Sequence, residues 1–261
     1  MPTATINHLT MHYEQYGAGE DLVLIAGLSA SHAIWLKLIE PLSKHYRVTV
    51  FDNRGAGLTQ VTEPPYSIEQ MADDTAALLA HLQISNAYIL GHSMGGFVLQ
   101  ALLARHPHVA KKAIISCCAL RPSALRELHR SINKALVKQR VPREIILKNV
   151  ATFLFASSYL QSPNHLESFV KGALHQVQSD TGYNGQDQAI AAFDRSHYLA
   201  NIKIPLLGIY GAEDLIAPPE SIEILKQHVP HVTAELIAHC GHMPQFEKPA
   251  EFIALIKQFC N

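Results

Sequence analysis

No apolar run in this 261-residue chain approaches the length that crosses a bilayer. The first residues, Met1-Pro2-Thr3-Ala4-Thr5-Ile6-Asn7-His8, lack a basic region followed by an apolar stretch, so no secretory leader is expected. Excess charge of either sign is missing too. The formal net charge is −1, which gives no electrostatic ground for nucleic-acid binding or for a membrane surface. Cysteine is scarce: Cys117, Cys118, Cys240 and Cys260 are all there is. Two of them are adjacent, which is poor geometry for a disulfide between them. The four read as reduced thiols, the state expected in the cytoplasm. No Cys/His spacing matches a zinc site, and the histidines include no His-Glu-x-x-His. Nothing in the chain calls for a metal or organic cofactor. Internal repeats and low-complexity segments are likewise missing.

What the chain does have is apolar content, 48% of residues, arranged mostly in short runs. That is an ordinary globular composition with material for a sizeable core. His8 to Tyr16 alternates, with Leu9, Met11 and Tyr13 on one face, and reads as an antiparallel edge strand ending at Gly17-Ala18-Gly19. Leu22 to Ala26 and Arg47 to Phe51 read as strands covered on both faces. A helix is expected between them, over about His32 to Lys44, carrying the sole tryptophan, Trp35. Ser67, with Gln70 three residues on, marks the start of another helix, which turns Met71, Leu78, Leu79 and Leu82 inward. Ala87 to Leu90 and Lys112 to Cys118 are further strands flanking a helix. Late in the chain come a strand at Pro205 to Gly211, a helix at Pro219 to His228, a strand at Val232 to Ile237 and a closing helix at Pro249 to Phe259. This alternation predicts an α/β fold: a mostly parallel, doubly wound sheet of about eight strands with helices on both faces.

Residues 120–197 break the pattern. They hold no convincing strand and read as amphipathic helices, with Pro122, Pro142 and Pro163 opening segments and Gly182-Tyr183-Asn184-Gly185 interrupting. We therefore expect a core of residues 1–119 and 198–261. Residues 120–197 form a helical cap over the carboxyl edge of the sheet, where open α/β sheets bind ligands.

Gly91-His92-Ser93-Met94-Gly95 joins the strand at Ala87 to the helix from Phe97. A sharp strand-to-helix turn forces its central residue into a strained conformation and brings the flanking chains together. Glycines two before and two after Ser93 remove the side chains that would collide, and the serine hydroxyl stays exposed. A serine needs a base, best a histidine, and the histidine needs a carboxylate to set its tautomer. In this arrangement the chain order is serine, acid, histidine. Asp214 and His242 supply it, each just after a predicted strand. Their competitors are Glu213, Asp52, His92 and His239. Asp52 reads as tying down its own loop with Arg54, and His92 as facing away from the serine. The oxyanion of acyl transfer needs two backbone donors, assigned to the N–H groups of Met94 and Leu28, where Gly27 permits close approach. Ser29 could add a hydroxyl or cap the following helix.

These pieces together resemble the α/β-hydrolase family, in its group of small cap-bearing esterases, lactonases and carbon–carbon hydrolases. The resemblance rests on Gly27 with Trp35 downstream, Phe51-Asp52-Asn53-Arg54-Gly55-Ala56-Gly57, Gly91 to Gly96, Gly211-Ala212-Glu213-Asp214 and Gly241-His242-Met243-Pro244. It implies the α/β-hydrolase fold and a Ser93–His242–Asp214 triad. Relatives that attack through aspartate, the haloalkane dehalogenase and epoxide hydrolase types, are disfavoured by the serine. One departure is Ala26-Gly27, where the family commonly has His-Gly; the backbone donor survives but the bracing of the loop changes.

The expected activity is cleavage of small to medium carboxylic esters through an acyl-enzyme. Alternatives on the same machinery are an enol-lactonase, a carbon–carbon hydrolase and a pimeloyl-carrier methyl ester esterase. A non-catalytic receptor is the reading from another class. Ser29, Trp35, Phe153, Leu154, Tyr159 and Met243 are candidate pocket residues. The cap is basic at its start, with Arg121, Arg126, Arg130, Lys134, Lys138, Arg140, Arg143 and Lys148 set against Glu127 and Glu144. That face is either solvated or a docking surface for an acidic carrier protein. No oligomeric state is legible.

Overall fold

The computed structural model describes residues 2–120, 123–176 and 179–261. Its sheet has eight strands: β1 Thr3–Ile6, β2 Leu9–Tyr16, β3 Glu20–Ile25, β4 Tyr46–Phe51, β5 Ala87–His92, β6 Ala110–Ser116, β7 Leu206–Gly211 and β8 Thr233–Ile237. They lie in the order β1-β2-β4-β3-β5-β6-β7-β8. β1 pairs antiparallel with β2, and β2 with β4. Every other neighbouring pair is parallel. The helices are α1 Leu36–Ser43, α2 Ile68–His81, α3 Met94–Arg105, α4 Ala124–Lys138, α5 Arg143–Leu154, α6 Ser157–Leu160, α7 Pro163–His175, α8 Asp180–Ala192, α9 Arg195–Leu199, α10 Ser221–His228, α11 Pro244–Glu247 and α12 Pro249–Cys260. None is long and apolar enough to cross a membrane.

Alternate side chains of a strand face opposite sides of the sheet. Val23 and Ile25 of β3 therefore join Leu78, Phe97 and Val98 beneath α2 and α3. Leu22 and Leu24 join Trp35, Leu38, Phe252 and Ile256 beneath α1 and α12. All four β3 residues are fully buried, each contributing roughly 1.5–3 kcal/mol. Two covered faces are the reason that this strand reads as an unbroken apolar run.

The expectation of an edge strand at His8 to Tyr16 needs correction. β1 lies outside β2 and buries Ala4 and Ile6 in the same core as Leu9 and Met11. Asn7 and His8, at φ +48° and +62°, make the two-residue turn between them. The turn lacks the glycine that usually signals such a hairpin, which hid the strand.

Among the described residues of 120–197 the regular elements are helices, α4 to α8 and the start of α9, joined by short connections, with no strand. α9 runs across the expected 197/198 boundary and packs on α3. Pro142 precedes α5 as its cap residue and Pro163 opens α7; Pro122 and Arg121 lie outside the described residues. Gly182 and Gly185 do not interrupt the chain but stand inside α8. A Cβ at Gly182 would come within 2.0 Å of the Gly55 carbonyl, and one at Gly185 within 2.5 Å of the Tyr66 ring. The helix lies so close to the loop after β4 that only glycine fits. This contact offsets the helix-propensity cost of about 1 kcal/mol per glycine.

Candidate active site

Ser93 stands between β5 and α3 at φ +54°, ψ −118°, a region that residues with a Cβ rarely occupy. Its N–H donates to the Ser116 carbonyl at 2.9 Å, and its carbonyl accepts from Gly96 N–H at 2.9 Å. The flanking glycines are required. A Cβ at Gly91 would meet the Gly95 carbonyl oxygen at 2.2 Å, and one at Gly95 the Ile25 carbonyl oxygen at 2.2 Å.

Asp214 follows β7, and its Oδ1 accepts the N–H groups of Ile216 and Ala217 at 2.8 and 2.9 Å. That leaves Oδ2 facing His242 Nδ1 at 2.8 Å. On the other side of the ring, His242 Nε2 lies 3.0 Å from Ser93 Oγ. His242 and Asp214 are 3% and 2% exposed, so water does not compete for these contacts and they act in a medium of low polarity. The competitors go elsewhere. Glu213 faces the exposed His239 at 3.5 Å, pairing two of them on the surface. His92 is buried with Nδ1 3.4 Å from Ser116 Oγ and its ring 5.1 Å from that of His242. Burial first, and His242 second, hold its pKa well below the usual histidine value. Asp52 anchors its own loop through Leu58 N–H at 2.8 Å and also bonds His32. Arg54 is not its partner: the guanidinium forms a buried pair with Asp74 at 2.8 Å.

The loop after β3 passes close to the serine, since a Cβ at Gly27 would lie 3.1 Å from Ser93 Cβ. Leu28 is half-buried on this loop and Met94 opens α3. Asn53 Nδ2 donates to the Ala26 carbonyl at 2.9 Å. Gln186 of α8 accepts Ser29 N–H at 2.7 Å and donates to the Arg54 carbonyl at 2.7 Å. The loop is thus braced from β4 and from the cap. Ser29, at φ +62°, does not cap the following helical turn; that role belongs to Ser31, whose hydroxyl accepts Ala33 N–H at 3.3 Å.

Two expected pocket residues are placed otherwise. Trp35 is fully buried in the core under α1, edge-on to His92 at 6.1 Å. Phe153 stacks on His129 at 4.2 Å, within the cap. Leu154, Tyr159 and Met243 do gather with Phe155, Phe169 and Phe246 in one cluster. It adjoins the histidine, because the Leu154 carbonyl accepts His242 N–H at 2.7 Å.

Three residues at the site were not anticipated. The Glu247 carboxylate accepts the N–H groups of Ala156 at 2.8 Å, Gly241 at 3.0 Å and Met243 at 3.1 Å, fastening the histidine loop to the cap. Burial pushes this carboxyl up, against the pull of those donors. Gln186 braces the loop at Ser29. Cys117, directly after β6, places Sγ within 4.8 Å of donor atoms of Asp214 and His242. Burial, then Asp214, push its thiol well up. All four cysteines are free. A carboxylate at the end of α11 and a thiol after a strand carry no sequence signal of these roles.

The basic start of the cap is largely internally paired. Arg130 and Lys134 converge on Asp187 at 2.6 and 2.9 Å, a carboxylate that is 1% exposed. Arg143 donates to carbonyls of α7 and the residue after it, and Lys148 meets Glu144 at 2.6 Å. Asp187 lies more than fifty residues away in sequence, so the composition of α4 and α5 alone overstates their free charge.

An eight-stranded, mostly parallel sheet with a serine on a strained strand-to-helix turn defines a hydrolase of the α/β class. The family model of the alpha/beta hydrolase fold matches residues 22–249, and the chain belongs to that family. It is similar to 3-oxoadipate enol-lactonase 2 of Acinetobacter baylyi, 27% identical over 96% of this chain and 92% of the relative. It is also similar to the pimeloyl-[acyl-carrier protein] methyl ester esterase of Aeromonas hydrophila, 25% identical over 96% of this chain and 99% of the relative. Among solved structures, the enol-lactonase from Burkholderia xenovorans LB400 superposes with a TM-score of 0.88 at 28% identity, covering 99% of both chains.

Proposed function

We propose that the chain is a serine hydrolase that cleaves carboxylic esters of small to medium acyl groups through an acyl-enzyme. The observation that carries this reading is the continuous chain from Ser93 Oγ to His242 Nε2 at 3.0 Å and from His242 Nδ1 to Asp214 at 2.8 Å. With Nδ1–H donated to the carboxylate, the Nε2 lone pair faces the serine hydroxyl. Ser93 Oγ attacks the ester carbonyl as His242 takes its proton. The N–H groups of Leu28 and Met94 hold the oxyanion, and the alcohol leaves with the proton from His242. Water, activated by the same histidine, then releases the acid.

A second reading is supported by the enol-lactonase relatives. A lactone carbonyl meets the same groups, and the alcohol leaves still tethered to the acyl chain. A carrier-bound methyl ester has less support, because Arg130 and Lys134 are engaged by Asp187. The test is labelling with a fluorophosphonate, located by peptide mass spectrometry, followed by turnover of p-nitrophenyl esters of graded length, lactones and a carrier-bound methyl ester. Labelling is expected at Ser93 alone. A chain that takes no label, or a His242→Ala variant labelled at the full rate, would sink the proposal.

A further inference from the structure

At the far end of the loop that carries Leu28, four titratable side chains meet. His12 and Glu14 come from β2, Asp52 from the end of β4, and His32 from the turn before α1. His12 is 1% exposed and neither ring nitrogen has a hydrogen-bond partner, although a buried imidazole is ordinarily bonded. Its Nδ1 is 3.3 Å from Asp52 Oδ2 and its Nε2 is 3.6 Å from Glu14 Oε1. His32 presents Nδ1 to Asp52 Oδ1 at 3.0 Å and Nε2 to Glu14 Oε1 at 3.9 Å. The two rings are 4.7 Å apart. One donor atom from each of His12, His32 and Asp52 lies within 4.8 Å of the others.

The Asp52 carboxylate is held in place by His32 N–H at 2.6 Å and Leu58 N–H at 2.8 Å. Gly57, at φ +54°, makes room for it, since a Cβ there would fall 2.2 Å from Asp52 Oδ2. His32 and Glu14 have side chains 16% and 19% exposed, which opens one side of the cluster to solvent.

We propose that His12, His32 and Asp52, with Glu14 beside them, bind one divalent transition-metal ion. Two imidazoles with carboxylate oxygen suit zinc, cobalt or nickel; magnesium and calcium take sites made of oxygen alone. The ion ties β2 and β4 to the chain that leaves the Leu28 loop. It braces that loop and takes no part in the attack on the ester.

The untagged full-length chain, stripped with a chelator, is titrated with Co²⁺ and with Zn²⁺. One equivalent is expected to bind. Cobalt should give visible d–d bands without a thiolate charge-transfer band. The melting temperature should rise by about 5 °C or more at ~100-fold excess over Kd. His12→Gln and His32→Gln should each abolish binding, while Cys117→Ser should leave it intact. If His12→Gln fails to fold, the partly exposed His32→Gln and the cobalt spectrum of the unaltered chain decide. No spectral change and no thermal shift at millimolar metal would overturn the proposal. So would binding that survives His32→Gln, or binding lost in Cys117→Ser, which would put the ion at Cys117, Asp214 and His242.

Discussion

Ser93 shows how much of the site is decided at single backbone positions. Its φ of +54° with ψ of −118° costs of the order of 1–3 kcal/mol for a residue with a Cβ, and the crossing of β5 and α3 over Ile25 enforces it. Ser93→Gly should therefore be more stable than Ser93→Ala by about 1 kcal/mol in urea unfolding, with both variants inactive on esters. Equal stability would mean that the turn is unstrained. Asp214 presents one oxygen to two backbone N–H groups and the other to His242. An amide there would offer His242 a donor in place of an acceptor and reverse its tautomer. Asp214→Asn should lower kcat by roughly 10⁴ with little change in melting temperature. Ser93, Asp214 and His242 stood out in sequence because each follows a predicted strand and they run in the order serine, acid, histidine that accompanies such a turn. Glu213 and His239 were harder to dismiss, since only the fold shows that they face each other at the surface.

Among the elements, α11 and α8 connect the cap to the catalytic edge. α11 ends at Glu247, whose carboxylate collects N–H groups from both the histidine loop and the cap. Glu247→Gln puts an amide NH₂ where at least one acceptor stood. The cost should be about 1–3 kcal/mol in stability, with a fall in kcat/KM as the His242 loop loosens. Unchanged kcat/KM would show that the clamp is structural only. α8 rests on Gly182 against Gly55, and one turn later Gln186 holds Ser29. Gly182→Ala should push α8 outward and cost about 1–3 kcal/mol, read as a lower urea midpoint together with weaker ester turnover. The sequence marked these glycines as breakers because helix propensity reports the cost of glycine. The compensating contact with a loop more than a hundred residues earlier is not a local property.

Across the whole molecule, the buried neutral histidine His92 makes stability depend on pH. Burial and His242 depress its folded-state pKa, whereas the unfolded chain protonates near 6.5. As pH falls below about 6.5 the unfolded state takes up the proton first. The contribution is therefore complete above that pH and is lost toward acid, with a slope approaching ~1.4 kcal/mol per pH unit. Urea unfolding between pH 8 and pH 5 should show this decline, and His92→Leu should flatten it. An identical slope in the variant would reject the assignment.

What the sequence by itself determined is the class of sheet, the helical character of the insertion, the strained serine turn and the order Ser93, Asp214, His242. All of these follow from local periodicity, glycine placement and the rule that each group sits at a strand end. Tertiary structure alone decided that Trp35 belongs to the core, that Arg130 and Lys134 share Asp187 as their partner, and that Glu247 and Gln186 brace the site. It also brought His12, His32 and Asp52 together from separate elements. The reason is physical: a pattern along the chain reports which face an element buries, but not which residue of a distant element that face will meet.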